Sequence, residues 1–383
     1  MKAAREQTLR MVPSKIRKVE AFCYRVPLAE PVVTSFGRMQ NRPAVFVRVT
    51  DDDGFNGWGE AWCNFPSVGA EHRARIITDV LGPTILGKTI YNPTDLFSCL
   101  TQDTEVVMLQ SGERGPFAQA IAGLDIAIWD LFARRERQPL WRMLGGAGPV
   151  VDVYASGINP DRVQTTVERA QVLGHRAFKL KIGFDPKHDQ DNLAALRRLV
   201  NEDFLAADVN QAWSTEQALR CLPALQEFEL AWLEEPLRAD VPWSEWGRLR
   251  EAASVPLAAG ENIFSSAGFA GAISANVLSV IQPDVAKWGG ITMCARVARE
   301  VLSAGRRFCP HYLGGGIGLL ASAHLLAGVG GDGILEVDIN PNPLRDTCCG
   351  PMCQIRSGQV SLLDEPGLGV DPDLQGLANY RTL

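Results

Sequence analysis

From residue 151 to residue 338 the chain repeats one pattern eight times, a short apolar run followed by an amphipathic stretch. The apolar runs occupy 151–155, 176–182, 204–210, 229–235, 256–261, 278–283, 306–311 and 333–338. Their length and bulk read as buried strands. Between them, "DNLAALRRLV" (191–200), "TEQALRCLPALQEF" (215–228) and "TMCARVAREVLSAG" (292–305) carry apolar residues at helical spacing. Strands alternating with helices imply parallel βα units, and eight units suggest a closed (β/α)8 barrel. An open doubly wound sheet is the alternative, but no Gly-rich fingerprint follows the first strand.

The first 145 residues differ. "PAVFVRVT", "DDDG" and "FNGWGEAW" read as strands joined by an Asp/Gly turn, and "FAQAIAGLDIAIWDLFARR" (117–135) as a long helix. This is an α+β unit, 14–145, ahead of a barrel unit, 146–345. The segment 346–383, rich in Pro and Gly, is expected to pack back on the first unit.

In a barrel the carboxyl ends of the strands form the active face. Read in order, those ends carry Lys179 and Lys181, Asp208 with Asn210, Glu234 and Glu235, Glu261, Asp284, His311 and Glu336. From Lys181 onward one polar residue per strand recurs every 23 to 27 positions, which predicts a ring around one mouth. Asp208, Glu234 and Glu261 would repel one another with nothing between them. A hard cation with oxygen ligands, Mg2+, answers that problem. Three separately salt-bridged carboxylates are the alternative. Glu235 faces away from Glu234 and reads as structural.

Lys179 and Lys181 share a strand face, since side chains alternate with period two. Lys181 is the candidate general base, with Lys179 and the metal disfavouring a second charge beside it; the alternative is that both lysines snorkel or pair with the carboxylate ring. Asp284 and His311 end neighbouring strands, so a hydrogen bond between them is expected to fix the imidazole. A base on each side of a metal suits proton abstraction alpha to a carboxylate, with Glu336 as a facing acid.

The formal charge of −6 leaves no basic footprint for nucleic acid. No apolar run approaches the roughly 18 residues of a membrane span. "MKAAREQTLRMVPSKIRK" lacks the apolar segment of a signal peptide and reads as a frayed arm. The nine cysteines do not have zinc or CxxC spacing and are expected to be reduced thiols of a cytoplasmic protein.

Several stretches together resemble the enolase superfamily and its mandelate racemase subgroup. "GWGEAW" (57–62) and "AGLDIAIWDLFAR" resemble the N-terminal capping domain of that family. "KLKIG", "DVNQAW", "WLEEP", "AAGEN", "QPDVAKWGG" and "PHYLGGGIG" resemble its barrel motifs in order. The resemblance implies a (β/α)7β modified TIM barrel under an α+β capping domain, and a homo-oligomer. It implies one Mg2+ per subunit on Asp208, Glu234 and Glu261. It also implies Lys181 as the second lysine of a KxK base motif, an Asp284–His311 dyad, and Glu336 as the acid beyond the eighth strand. Asp284 stands where the muconate-lactonizing branch has a lysine, and Lys287 reads as an ion partner at a strand end.

In that family two capping loops close over the substrate, here about 31–39 and 62–73. Phe36, Trp62 and Asn64 from these loops, with Asn210 at the third strand end, are the candidate substrate contacts. His72 reads as a surface residue. The amides of "GGGIG" (314–318) are a candidate anion seat, with a plain tight turn as the alternative. Arg345 is offered for a distal carboxylate.

The expected reaction is dehydration of an acid sugar to a 2-keto-3-deoxy acid. A racemase or epimerase of a 2-hydroxy acid, or a cycloisomerase of a sugar lactone, would use the same residues. A Schiff-base barrel is a different class, and the ring of carboxylates speaks against it. A non-catalytic scaffold would not need every ligand and base retained.

Overall fold

The computed structural model describes residues 11–34, 37–201 and 204–383. Most of the N-terminal arm, and Phe36, therefore lie outside the described residues.

The chain opens with four antiparallel strands, β1 (Ser14–Thr34), β2 (Gly37–Asp51), β3 (Asn56–Ala61) and β4 (Thr89–Ile90), in the order β3-β2-β1-β4. Asp51 turns the β2–β3 corner by accepting the Phe55 amide at 2.9 Å. The helix Arg114–Arg135 packs flush on β3. A Cβ on Gly57 or Gly59 would lie 2.0 Å from the carbonyl oxygens of Ala127 and Gly123, so only glycine allows this approach. Gly57, Gly59 and Ala61 thus face the helix, and period two sends Trp58, Glu60 and Trp62 to the other side. By length and composition this helix could cross a bilayer, but 89% of its most apolar window is buried inside the protein.

Eight parallel strands follow: β5 (Val150–Ile158), β6 (Ala177–Lys181), β7 (Phe204–Asp208), β8 (Leu233–Glu234), β9 (Leu257–Ala259), β10 (Val280–Ile281), β11 (Arg307–Phe308) and β12 (Ile334–Asp338). Their order is β11-β10-β9-β8-β7-β6-β5-β12, so β12 returns to pair with β5 and the barrel is nearly closed. A helix of ten or more residues joins each strand to the next, and none of that length follows β12 among the described residues. This is the (β/α)7β form. Several strands are shorter than their apolar runs. Of residues 229–235, for example, only Leu233–Glu234 form a regular strand, with Glu229 and Glu235 on either side at left-handed φ of 47° and 39°.

The barrel interior is filled by one layer with a residue from each sector: Tyr154, Ala177, Ala206, Trp232, Ala258, Val280, Cys309 and Ile334. The small alanines make room for Tyr154 and Trp232, whose rings meet edge to face at 5.4 Å. Two residues further along, on the same inward face, seven of the eight strands carry Ser156, Lys179, Asp208, Glu234, Gln282, His311 and Glu336, and the eighth, β9, carries Gly260. The aromatic layer is the floor and these polar residues stand on it.

After β12 the chain forms β13 (Gln359–Ser361), antiparallel to β5. The tail then reaches the first sheet, where the Thr382 amide donates to Cys23 O at 2.8 Å. The expectation of reduced thiols fails at one place. Cys349 and Cys353 are joined, because the 3-10 turn Gly350–Cys353 brings their Cα atoms within 6.4 Å. Seven cysteines remain free.

Candidate active site at the strand ends

Lys179 is 1% exposed, and its Nζ lies 2.7 Å from Glu234 Oε1 and 2.9 Å from Glu336 Oε1. Burial opposes its charge, but the two carboxylates outweigh burial and hold the ammonium well above its ordinary value. Lys181 Nζ lies 2.6 Å from Asn210 Oδ1 and 4.0 Å from Asp208 Oδ2. Asn210 bridges the two, since its Nδ2 donates to Asp208 Oδ2 at 2.9 Å and its backbone amide to Oδ1 at 2.8 Å. It does so from a left-handed φ of 48°, which asparagine tolerates better than most residues.

Glu234 Oε2 accepts from Gln282 Nε2 at 2.7 Å and Trp232 Nε1 at 3.1 Å. Burial pushes its carboxyl up to about 7 against the pull of Lys179. Glu261 lies 3.0 Å from Lys287 Nζ, as the position of that lysine predicts. Burial would raise the Glu261 carboxyl, but His311 and Lys287 hold it far below the usual range. Glu235 turns away and accepts both its hydrogen bonds from Asn262 Nδ2, at 2.9 and 3.0 Å.

His311 Nδ1 sits 2.8 Å from Asp284 Oδ2, and the other Asp284 oxygen accepts the Ala286 and Lys287 amides. That bond assigns the Nδ1 proton and leaves Nε2 toward Glu261 (3.5 Å) and Glu336 (3.6 Å). Burial alone would lower the imidazole, yet Glu261, Glu336 and Asp284 raise it to about 10. Glu336 accepts from Ser156 Oγ and, at 3.2 Å, from the Tyr312 amide. Burial opposes its charge, while Lys179 and His311 draw it down to about 2. It is therefore a carboxylate, and would donate to an enediolate only after taking up a proton.

The structure brings Lys179, Lys181, Asp208, Asn210, Glu234, Glu261, Asp284, His311 and Glu336 to one mouth, with Trp62 at its edge. The Trp62 ring lies 4.8 Å from Lys287 Nζ. Other candidates already have protein partners. Asn64 is 5% exposed and donates to Leu313 O at 2.7 Å, so its amide N–H ties the capping loop to the barrel. Arg345 spends its guanidinium on Asp346 and on the Asp338 and Asn340 carbonyls. His72 lies on the surface, as its reading predicts, and pairs with Glu113 at 2.9 Å. The glycine run is no anion seat: Gly315 N and Gly318 N donate to Glu60 at 2.5 and 2.9 Å. A Cβ on Gly318 would lie 2.3 Å from the Tyr312 hydroxyl, so close approach accounts for glycine there.

Reading the sequence missed Gln282, Trp232 and Ser156. Gln282 and Trp232 lie two residues from Asp284 and Glu234 on the same strand face, and that spacing was the available signal; Ser156 had none. A groove of about 940 Å3 lined by Arg48, Trp58, Arg134 and Val370 lies on the capping sheet and contains none of these residues.

Asp208, Glu234 and Glu261 offer only oxygen donors from three consecutive strands, paired in register at Asp208 and Glu234. That donor set fits a hard divalent cation. A further buried oxygen, Gln282 Oε1, has no partner beside Glu234. Among the described residues no three acidic, His or Cys side chains stand together closely enough to hold a metal ion as placed.

A nearly closed parallel barrel under an antiparallel capping sheet, with carboxylates on successive strand ends, is the architecture of the enolase superfamily. Residues 16–145 match the mandelate racemase / muconate lactonizing enzyme N-terminal domain, and residues 162–376 the enolase C-terminal domain-like family. The chain belongs to the mandelate racemase / muconate lactonizing enzyme family. It is 31% identical to a 3,6-anhydro-alpha-L-galactonate cycloisomerase of Streptomyces coelicolor, over 94% of this chain and 98% of that one. A solved mandelate racemase/muconate lactonizing enzyme from Bordetella bronchiseptica is 48% identical with a TM-score of 0.92, covering 96% of this chain and 100% of its own. A racemase structure from Streptomyces coelicolor with bound magnesium is 28% identical with a TM-score of 0.85, over 96% and 100%. Further relatives are named as dehydratases, cycloisomerases and racemases.

Proposed function

We propose that this protein is a Mg2+-dependent enzyme that removes the proton alpha to a carboxylate, and that it dehydrates an acid sugar to a 2-keto-3-deoxy acid. One observation carries the reading. Lys181 and the Asp284–His311 pair stand on opposite sides of three carboxylates from consecutive strands. Asp208, Glu234 and Glu261 would hold one Mg2+ per subunit, which when bound supplies Lewis-acid stabilisation of negative charge on the substrate carboxylate.

Lys181 takes the alpha proton as the general base. Asp284 holds His311 through Nδ1, and the imidazolium gives its own Nε2 proton to the departing 3-hydroxyl, which leaves as water, so Lys181 ends protonated and His311 neutral. The resulting enol then ketonises. Asn210 keeps Lys181 aligned with Asp208. Trp62 covers the edge of the mouth over Lys287. The substrate is a small carboxylate, and we place the enzyme in the cytoplasm as a homo-oligomer.

The relative named as a cycloisomerase favours a second reading, in which a ring oxygen replaces the 3-hydroxyl as leaving group. A racemase would use Lys181 and His311 on opposite faces of one carbon. Proton NMR in D2O with Mg2+, over a panel of acid sugars, their lactones and 2-hydroxy acids, separates the three. A 2-keto-3-deoxy product, lost in Lys181→Ala, supports the dehydratase. Ring opening without loss of water moves the reading to a cycloisomerase, and alpha deuteration with inversion moves it to a racemase.

A further inference from the structure

The helices Gly290–Ser303 and Gly316–Val329 follow the strands that carry Asp284 and His311, and neither has a side-chain cap of its own. Glycine occupies both N-cap positions, Gly289 and Gly315. Three other barrel helices are capped locally, by Asp185, Ser214 and Ser265. For the two dyad helices the acceptors come from the capping domain. Asp125 accepts the Thr292 amide at 2.9 Å and its hydroxyl at 2.6 Å, and Trp129 Nε1 donates to that hydroxyl at 2.8 Å. Glu60 accepts the Gly315 and Gly318 amides. Both carboxylates are buried, Asp125 to 3% and Glu60 to 2% exposure.

The segment after β3 adds two ties on the same side. The Trp62 amide donates to Ala286 O at 3.0 Å, and Asn64 Nδ2 to Leu313 O at 2.7 Å. Residues 60, 62 and 64 share one face because the glycines of β3 commit the other face to the helix Arg114–Arg135. Each loop of the dyad is therefore held at both ends. At the strand end, the His311 amide donates to Pro283 O at 3.2 Å. At the helix end, the anchor is a carboxylate of the other domain.

We propose that Glu60 and Asp125 are positioning residues for the imidazole: by capping these two helices from the capping domain they set the Asp284–His311 geometry. The proposal rests on the reading of His311 as a proton-transfer group, but its test does not require turnover. The probe is the hydrogen-bonded Nδ1 proton of His311, observed by NMR on the full-length, 15N-histidine-labelled protein and assigned by its absence in His311→Asn.

Loss of a helix cap predicts roughly tenfold faster exchange of that proton with water in Glu60→Ala and in Asp125→Ala. Ser214→Ala, which removes a local cap elsewhere in the barrel, should leave the exchange rate at the wild-type value. Wild-type exchange in both capping-domain variants, or equal acceleration in Ser214→Ala, overturns the proposal. Should Glu60→Ala fail to fold, Glu60→Gln keeps one acceptor and should show a smaller acceleration, and an unchanged rate there counts against the proposal. A wild-type protein that exchanges no alpha proton on any acid of the panel would sink the functional reading while leaving this test intact.

Discussion

Lys179→Met removes a charge and keeps most of the stem, so it isolates what the ammonium does on the barrel floor. The ammonium stands between Glu234 and Glu336, at 2.7 and 2.9 Å, over the Tyr154 ring. Without it two buried carboxylates face each other, and removing one partner of a buried pair costs about 3–5 kcal/mol. The loss depends on pH in a defined direction. Burial already pushes Glu234 up to about 7 from its ordinary 4.5, and Lys179 is the largest influence opposing that rise. In the variant the folded pKa climbs further. A buried acid whose folded pKa exceeds its unfolded value loses stability as pH rises between the two values. At about pH 6 Glu234 takes a proton and the repulsion with Glu336 is relieved, so the deficit shrinks; at about pH 8 it is near its full size. Urea denaturation followed by tryptophan fluorescence in EDTA reads the difference as a midpoint shift at constant m. Mg2+ should restore part of the loss by supplying positive charge beside Glu234. A deficit under ~1 kcal/mol at the higher pH would refute the argument, since it lies below the cost of a broken buried pair. A deficit larger at the lower pH would refute it too.

Arg42→Ala should cost about 3–5 kcal/mol, because the guanidinium pairs with Asp338 at 2.5 Å where both are buried, and a urea midpoint within error of wild type would contradict this. Gly318→Ala places a methyl against Tyr312 and should cost ~1–3 kcal/mol by overpacking, read from the same denaturation curves. In metal-free protein the contribution of His311, raised from 6.5 to about 10, is fully present below 6.5 and is lost as pH climbs toward 10. That of Glu336, lowered from 4.5 to about 2, is present above 4.5 and lost as pH falls toward 2. A pH series of midpoints should therefore fall at both ends, and His311→Asn should flatten the alkaline limb. Mg2+ at about a hundred times its dissociation constant should stabilise the protein by ~2.7 kcal/mol, and an equal gain in Asp208→Asn would contradict the assigned donor set.

The ring of site residues was legible in the sequence because its geometry is local. Side-chain direction along a strand follows from period two, and eight strands joined in succession by seven helices put Asp208, Glu234, Glu261, Asp284 and His311 at one mouth. The same rule covered Lys179 with Lys181, and would have reached Gln282 and Trp232 had it been followed two residues down each strand. What stayed hidden depends on partners far apart along the chain. Glu60 reaches Gly315 and Gly318 across some 255 positions, and Asp125 reaches Thr292 across 167. "GGGIG" therefore reads as an anion seat until the carboxylate that fills it is in place. Asn64 and Arg345 have side chains suited to a substrate, and only tertiary packing shows that their N–H groups are already bonded to carbonyls and a carboxylate. The sequence alone determined which residues can meet at the strand ends, because strand direction and repeat spacing are short-range. The tertiary structure decided which of their polar atoms are already bonded, because hydrogen bonds form with whatever the fold brings near.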